Sequence, residues 1–304
     1  MKLLMVGAGA IGGYFGARLL EKGEDVTFLV REGRRKQLEK TGLHVDSIHG
    51  DIHVEPKLIE AGDHLKEPFD AVLLSTKAYQ LDDAMEDIKP YVGKETMVIP
   101  LLNGVAHKDK LISVLGEERV LGGLCFVEAT LNAEGHIVQR SSIHKLLFGE
   151  RSGEKSERVR ALEACFSGTK SSFVLSKNIM SDMWKKYLFI STLAGVTSLF
   201  RSPIGPIRED PLGSETIRKT IHEAASIMQK LNAPLPEGVE DGIWDNIHSI
   251  EPTMKSSLQR DMEKGLSVEG DHFFGYLLEK AEEQRISAPT LKTIYANVRV
   301  YEQQ

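Results

Sequence analysis

The chain has 304 residues, of which 41% are hydrophobic and 27% are charged, and its formal net charge at pH 7 is −6. This length suits two domains of ordinary size, and the composition is that of a globular protein. Because the charge is negative and no basic stripe with interleaved aromatic residues occurs, we expect no nucleic-acid partner.

The cysteines and the apolar runs bear on metal binding, cellular location and membrane contact. Cys125 and Cys165 are the only cysteines, and they give neither metal-ligand spacing nor a disulfide framework. We therefore expect no bound metal and a reducing, cytoplasmic location. The apolar stretch at residues 187–200 is shorter than the ~20 residues of a membrane helix and contains serine and threonine, so we expect no membrane partner.

The N-terminal segment contains the most specific motif. Apolar residues 3–6 lead into the glycine-rich residues 7–12, a helical pattern follows until Gly23, and a strand-like run covers residues 26–30. A GxGxxG turn between a strand and a helix, followed by a second strand within about thirty residues, is typical of dinucleotide-binding domains.

Each position of this motif has a physical role in binding a dinucleotide. Gly7 allows the tight turn, Gly9 lets the backbone approach a pyrophosphate, and Gly12 lets the helix pack close to the strand. The amides of Ala10 and Ile11, at the start of the helix, would then face the pyrophosphate with the positive end of the helix dipole.

The residues after the second strand-like run indicate which nicotinamide cofactor binds. A carboxylate there accepts the ribose 2′-hydroxyl of NAD, whereas an arginine accommodates the 2′-phosphate of NADP. Arg31 directly follows the run, and Arg34 and Arg35 add positive charge nearby. We therefore predict NADP(H), although Glu32 would favour NAD after a shift of one residue. Alternatively, Arg34 and Arg35 are solvated residues at a helix start.

The first half of the chain continues to alternate between strand-like and helical segments. Strand-like runs cover residues 71–75, 97–102 and 120–127, two short strands cover 136–138 and 145–148, and a last strand covers 172–175. Helical or loop segments separate these runs. The alternation predicts an α/β fold with a doubly wound parallel sheet, a Rossmann domain, which the two short strands extend.

From about residue 179 the pattern changes to one helix after another. Apolar residues recur at helical spacing in residues 217–231, 274–281 and 291–298, and prolines punctuate the connections. We therefore predict a Rossmann domain over residues 1–177 and an all-helical domain over residues 178–304. Ligand sites favour clefts between domains, so we expect the active site there.

Two polar residues follow strand-like runs of the first domain. Lys77 ends the run that begins at Ala71, so we expect it at the carboxyl edge of the sheet, where ligands bind in such folds. Asn103 ends the next run in the same way. The alternative for Asn103 is a purely structural turn, because Asn-Gly is favoured in tight turns.

Two charged residues of the second domain are candidates for the chemistry. Lys186 lies in an apolar helical segment and points about 100° away from Lys185, so one lysine can be solvated while the other faces a cleft. Burial lowers the pKa of a lysine and makes it a proton donor near neutral pH; alternatively, the ammonium reaches solvent from a core helix.

Glu269 precedes an apolar helix and is the second candidate. The alternative to a role in catalysis is that Glu269 or Asp271 is an acidic residue that complements the dipole at the start of that helix.

Five motifs occur here in the order in which they occur in the ketopantoate reductase (2-dehydropantoate 2-reductase) family, and the chain resembles that family over its whole length. They are the N-terminal GxGxxG, Thr76-Lys77-Ala78, Asn103-Gly104, Trp184-Lys185-Lys186 and the segment from Ser257 to Glu269. The resemblance implies NADPH-dependent reduction of ketopantoate, a 2-oxo acid, to pantoate in pantothenate biosynthesis.

The resemblance also implies a role for each matching residue. Lys186 matches the catalytic lysine that protonates the developing alkoxide, and Glu269 matches the glutamate that holds the substrate hydroxyl. Asn103 matches an asparagine beside nicotinamide and substrate, Lys77 a lysine near both, and Ser257 a serine that binds the substrate carboxylate. Since carbonyl reduction builds negative charge on oxygen, an acid and hydrogen-bond donors suit this chemistry.

The chain departs from the family at two positions of the substrate pocket that the resemblance implies. Family members commonly carry asparagines four and eight residues after the lysine, where this chain has Ile190 and Ala194 on the same helix face. Without these amide donors, the pocket favours a hydroxylated substrate less, so another 2-oxo acid or a more apolar carbonyl compound is the alternative substrate. A third hypothesis is a sensor that binds NADP(H) without turnover. We expect a monomer or a homodimer.

Overall fold

The computed structural model describes all 304 residues and divides into two compact units. The first unit comprises Met1–Leu102 and His107–Ile179, and the second comprises Asn103–Ala106 and Met180–Gln304. The four residues from Asn103 therefore belong to the second unit, although they follow a strand of the first.

The first unit contains ten strands and five α-helices. In chain order they are β1 (Lys2–Val6), α1 (Ala10–Lys22), β2 (Asp25–Leu29), α2 (Glu32–Thr41), β3 (Leu43–Ser47), β4 (Ile52–Val54), β5 (Lys57–Ile59), β6 (Phe69–Leu74), α3 (Leu81–Ile88), β7 (Val92–Pro100), α4 (His107–Leu115), β8 (Gly122–Leu131), β9 (Ile137–Gly149), α5 (Glu157–Phe166) and β10 (Ser172–Leu175).

Five of these strands form a parallel sheet in the order β5-β2-β1-β6-β7. The central strand β1 is buried on both faces, because alternate residues enter different clusters. Leu3 packs in the cluster that contains Phe15 of α1, whereas Leu4 packs in the cluster that contains Leu81 of α3. A parallel sheet that helices cover on both faces is a doubly wound fold, as the sequence predicts.

The other five strands form a second, mixed sheet in the order β10-β9-β3-β4, with β8 paired to β9. The predicted pair of short strands at residues 136–138 and 145–148 is wrong, because both lie in the single strand β9 of this second sheet. β9 pairs with β8 over residues 137–139 and 144–149, and the residues between these two parts are mostly polar and largely exposed. Exposure removes the apolar pattern there, so the sequence shows two fragments of one strand.

The second unit is helical. Its elements are α6 (Ile179–Phe200), α7 (Ile204–Glu209), α8 (Pro211–Lys230), α9 (Val239–Ser249), α10 (Ser257–Glu263), α11 (Tyr276–Glu283) and α12 (Pro289–Glu302). A π-helical turn, Asp271–Gly275, leads directly into α11. The predicted fold class, an N-terminal Rossmann domain followed by helices, is confirmed.

Helix α6 is the most buried helix segment of the second unit. All eight residues from Ser191 to Ser198 are buried, and a Cβ at Gly195 would lie 3.0 Å from the Ile294 side chain of α12. The Thr197 hydroxyl of α6 donates to Ser256 Oγ, 2.8 Å away, at the N-cap of α10. A helix segment that is buried on all sides packs inside its unit, and this holds its side chains in fixed positions. No helix combines the length and the apolar character needed to cross a membrane.

Candidate active site

The glycine-rich turn joins β1 to α1 in the first unit. Gly7 has a φ of +90°, which favours glycine, and its amide donates to the Leu29 carbonyl at 2.9 Å. A Cβ at Gly12 would lie 2.1 Å from Ser75 Oγ, so α1 approaches β6 too closely there for any side chain. A Cβ at Gly9 would meet no heavy atom within 4 Å. Packing therefore requires glycine at position 12, whereas Gly9 leaves its backbone open.

A cavity of about 470 Å³ lies beside this turn, and Gly7, Gly9, Arg31, Arg34 and Thr76 are among its lining residues. The Thr76 hydroxyl is buried there without a hydrogen-bond partner, an arrangement that folded proteins generally avoid unless a ligand or water completes it.

Helix α1 begins at this cavity. Because its first residues are Ala10 and Ile11, their amides have no acceptor within the helix and lie at the positive end of its dipole. An open glycine, an unpartnered hydroxyl, two arginines and a helix N-terminus around one cavity fit a dinucleotide with its diphosphate.

The two arginines of the cavity have different environments. Arg31 precedes α2 with 67% of its side chain exposed, and its Nη2 lies 3.6 Å from Asp83 Oδ2. Arg34 is partly buried, which lowers the pKa of its guanidinium. Its Nε donates to the Ala8 carbonyl at 3.0 Å and its Nη1 to the Gly135 carbonyl at 2.8 Å. Arg34 is thus not simply solvated; it joins the glycine-rich turn to the β8–β9 hairpin, and Arg31 is the more accessible of the two.

Three carboxylates line the same cavity: Glu32, Glu60 and Asp87. Burial and the neighbouring Asp83 raise the pKa of Asp87, and the opposing effect of Arg31 is smaller. The cavity is therefore not uniformly positive, and a preference for a 2′-phosphate depends on the placement of individual arginines rather than on net charge.

Lys77 lies three residues beyond β6, at the start of a short 3₁₀ turn over Ala78–Gln80. It follows the carboxyl end of a parallel strand, which is the edge where such sheets bind ligands. Its role toward cofactor and substrate stays a prediction.

The second unit brings two predicted residues into contact. Lys186, on α6, is 8% exposed, and its Nζ donates to Asn103 Oδ1 at 2.9 Å. Lys185, one position earlier on the helix, is exposed. Gly104, after Asn103, has a φ of +79°, so the Asn-Gly pair also makes a tight turn. The amide oxygen of Asn103 therefore fixes the direction of the Lys186 side chain in a place where little water competes for it.

Glu269 lies two residues before the π-helical turn. It is partly buried, and its carbonyl accepts from the Phe273 amide at 3.0 Å. π-Helical turns occur frequently at functional sites. In this turn, His272 Nε2 lies 2.5 Å from the Asn103 carbonyl oxygen. His272 cannot be found from the sequence, because nothing in its local pattern relates it to a residue 169 positions earlier in the chain.

The remaining predicted substrate residues lie on α6 and α10. Ile190 and Ala194 follow Lys186 by one and two helical turns, Ile190 partly buried and Ala194 3% exposed. Ser257 is the exposed first residue of α10, whereas its neighbour Ser256 is buried and caps that helix. The structure thus joins Lys186 to Asn103, and the substrate contacts of Glu269, Ser257 and the two apolar residues stay predictions.

Two family models match nearly the whole chain. Residues 3–153 match the model described as ketopantoate reductase PanE/ApbA, and residues 178–302 match the model of its C-terminal domain. The chain is 46% identical over 302 residues to the uncharacterized oxidoreductase YkpB of Bacillus subtilis, with 99% of both chains covered. It is 24% identical to the 2-dehydropantoate 2-reductase of Aquifex aeolicus, over 99% of this chain and 97% of that protein.

Solved structures show the same fold. A PanE/ApbA family ketopantoate reductase from Ralstonia eutropha superposes with a TM-score of 0.89 at 24% identity, covering 100% of this chain and 99% of that one. D-mandelate dehydrogenase in a ternary structure with NADH also superposes with a TM-score of 0.89, at 19% identity, covering 100% and 98%. One fold therefore accompanies more than one substrate among these structures.

Proposed function

This chain belongs to the ketopantoate reductase family and is an oxidoreductase, and we propose that it reduces a 2-oxo acid to the 2-hydroxy acid with NADPH. The first candidate substrate is ketopantoate, which would yield pantoate for pantothenate biosynthesis. The proposal rests above all on one observation, the 2.9 Å hydrogen bond from the nearly buried Lys186 ammonium to Asn103 Oδ1.

The proposed chemistry divides between cofactor and protein. When bound, NADPH would supply the hydride that reduces the carbonyl carbon of the 2-oxo acid. Lys186 donates a proton to the carbonyl oxygen as negative charge develops on it, so that the C=O bond becomes a C–OH bond. Asn103 Oδ1 accepts one of the three ammonium N–H bonds and so fixes the direction of the ammonium. Glu269 accepts a hydrogen bond from a substrate hydroxyl, and Ser257 donates to the substrate carboxylate.

The low exposure of Lys186 supports its role as the proton donor. At 8% exposure, few water molecules compete for its ammonium or screen its charge. A charged donor in such a place stabilises a developing alkoxide far more than the same donor in water.

The cofactor assignment is based on the first unit. Gly9 offers open backbone at the cavity, the amides of Ala10 and Ile11 begin α1 directly after it, and Arg31 is accessible enough to meet a 2′-phosphate. The carboxylate of Glu32 at the same cavity favours NAD instead. We assign NADPH because Arg31 lies two residues after the end of β2, the second strand of the motif.

A second candidate substrate is a 2-oxo acid with a more apolar side chain. Ile190 and Ala194 follow Lys186 along one face of α6, and neither offers a hydrogen-bond donor. If this face lines the substrate pocket, a hydroxylated substrate gains less there than in a pocket with asparagines.

A substrate panel tests the proposal and separates the two candidates. NADPH oxidation is followed with ketopantoate, with 3,3-dimethyl-2-oxobutanoate, which lacks only the 4-hydroxyl of ketopantoate, and with phenylglyoxylate. We expect turnover with at least one of them and its loss in Lys186→Ala. A higher kcat/KM for ketopantoate supports the first candidate, and a higher value for the deoxy analogue or phenylglyoxylate supports the second. NADPH binding without turnover of any 2-oxo acid would indicate the sensor instead.

We also propose a cytoplasmic enzyme that is a monomer or a homodimer. The cytoplasmic assignment is based on the small number of cysteines and their spacing. A dimeric ketopantoate reductase is known from Staphylococcus aureus, whose structure is 17% identical to this chain. Light scattering of the purified protein would decide between monomer and dimer.

A further inference from the structure

His272, in the π-helical turn, contacts the backbone of Asn103, so it connects two distant segments of the second unit. We propose that it is a positioning residue: its imidazole holds the backbone of Asn103 so that the side-chain oxygen of Asn103 faces the Lys186 ammonium. This inference rests on the proposed function, in which Lys186 is the proton donor. It concerns a residue that takes no part in the family motifs described above.

The hydrogen bond from His272 has a defined direction. Its Nε2 lies 2.5 Å from the Asn103 carbonyl oxygen, and a carbonyl oxygen can only accept. Nε2 therefore carries a proton, and the ring donates in either the neutral Nε2–H tautomer or the cation. The side chain and the carbonyl of Asn103 thus bind two different parts of the second unit, Lys186 on α6 and His272 in the π-helical turn.

The same helix supports the other end of this arrangement. Tyr187, next to Lys186 on α6, is fully buried and donates its hydroxyl to the Phe273 carbonyl at 2.6 Å. Burial raises the pKa of Tyr187 well above its usual value, so the hydroxyl stays a donor. Helix α6 therefore binds the π-helical turn through Tyr187, the turn binds Asn103 through His272, and Asn103 binds α6 through Lys186. These hydrogen bonds form a closed ring.

The turn after Asn103 is shaped to receive the imidazole. A Cβ at Gly104 would lie 3.2 Å from His272 Nε2 and 3.5 Å from Tyr187 Cε2, and the φ of +79° also disfavours a side chain. Glycine thus permits the close approach of the ring. Glycine also leaves the turn flexible, so a hydrogen bond to the Asn103 carbonyl is needed to hold one conformation.

The consequence for catalysis follows from geometry. Without the hydrogen bond from His272, the Asn103 turn is free to rotate its amide oxygen away from Lys186. The ammonium then loses the partner that directs it, and a displacement of about 1 Å at a reacting group can cost about 100-fold in rate. Binding of the dinucleotide should change little, because Gly9 and Arg31, which are predicted to hold its diphosphate and 2′-phosphate, lie in the first unit, whereas Asn103 is predicted only beside its nicotinamide.

The experiment compares two substitutions at one position in the full-length protein. His272→Phe keeps a flat ring without a donor, whereas His272→Gln places an amide nitrogen close to the position of the imidazole Nε2. With the best 2-oxo acid of the panel, we expect kcat to fall roughly 10- to 100-fold in His272→Phe, with NADPH affinity unchanged. His272→Gln should stay within about threefold of wild type, because a donor to the carbonyl remains. The matched control is His222→Phe, on the exposed surface of α8.

A second background separates positioning from a general structural effect. If His272 acts through Asn103, then His272→Phe should cost little more once Asn103→Ala is present, since coupled residues are not additive. A full additional loss in that background would overturn the proposal. The proposal would also be overturned by an unchanged kcat in His272→Phe, by a loss of kcat in His272→Gln as large as that in His272→Phe, or by an equal loss in His222→Phe.

A structural readout decides the inference independently of activity. Crystal structures should keep the Lys186 Nζ to Asn103 Oδ1 distance near 2.9 Å in His272→Gln and lose this contact in His272→Phe. An intact contact in His272→Phe overturns the positioning role even if the protein reduces no 2-oxo acid. The absence of turnover in the wild type would refute only the proposed function.

Discussion

Two glycines of the same motif should respond in opposite ways to an added methyl group. In Gly12→Ala the new Cβ would lie 2.1 Å from Ser75 Oγ and 2.2 Å from the Gly7 carbonyl oxygen. A hydroxyl can rotate away, but the backbone oxygen cannot move without distorting the turn. In Gly9→Ala the new Cβ would meet nothing within 4 Å. Stability should therefore depend on Gly12, and dinucleotide binding on Gly9.

The magnitudes separate the two effects. Overpacking costs about 1–3 kcal/mol, and a clash with backbone places Gly12→Ala at the upper end. At about 2–4 °C per kcal/mol for a unit of this size, 3 kcal/mol lowers the Tm of the first unit by roughly 6–12 °C. Gly9 is the N-cap of α1 with a φ of −78°, which alanine adopts, so Gly9→Ala should cost less than about 1 kcal/mol.

The NADPH affinity of Gly9→Ala measures how much the open backbone at Gly9 contributes to binding the diphosphate. A methyl group on the open backbone would hold a phosphate away from the amides at the start of α1. Losing one hydrogen bond to a charged group costs about 1.5–3 kcal/mol, which raises the Kd for NADPH roughly 10- to 100-fold. Thermal unfolding without ligand checks the loss of stability in Gly12→Ala, and titration calorimetry with NADPH checks the loss of affinity in Gly9→Ala. Unchanged NADPH affinity in a stable Gly9→Ala protein would refute the assignment of this cavity to the diphosphate.

Three other substitutions test cofactor choice, catalysis and substrate choice. Wild-type protein should bind NADPH at least about tenfold tighter than NADH, and Arg31→Ala should remove most of that difference in equilibrium binding; equal affinities in the wild type would contradict the role of Arg31. Lys186→Ala should lower kcat by about 10²–10⁴ while Lys185→Ala has a mild effect, and reversed results would mean that the wrong lysine is the acid. The double change Ile190→Asn with Ala194→Asn should raise kcat/KM for ketopantoate by up to about tenfold if both amides reach the substrate. A stable double variant without a gain would indicate other recognition groups or another substrate, and a large drop in Tm would show that these positions are core rather than pocket.

Local sequence patterns predict those parts of the fold whose residues follow one another directly in the chain. The strand, glycine turn and helix at the N-terminus follow one another directly, so spacing alone predicts β1, α1 and β2 and the place of Gly7 between them. The long helix around Lys186 is likewise visible in the sequence, because it is buried on most of its faces and therefore carries few charged residues. The family resemblance, which depends on the order of short motifs, was also readable from the chain alone.

Local patterns failed where exposure hides the element. Helix α2 has one buried residue, Leu38, and its otherwise polar sequence has no apolar stripe to detect. In β9, the exposed residues between the two apolar ends make one strand look like two. The reason is the same in both cases: hydrophobic periodicity reports burial, and an exposed element carries little of it.

The candidate site itself was decided by the tertiary structure. The sequence names Lys186 and Asn103, but only the fold joins their side chains across 83 residues and places His272 on the Asn103 carbonyl across 169. In the same way, the sequence allows Arg34 either to face the cofactor or to be solvated, and in the fold its guanidinium donates to the Ala8 carbonyl. Residue type and spacing determine which chemistry is available, whereas contacts between distant segments depend on how whole elements pack, which no local pattern encodes.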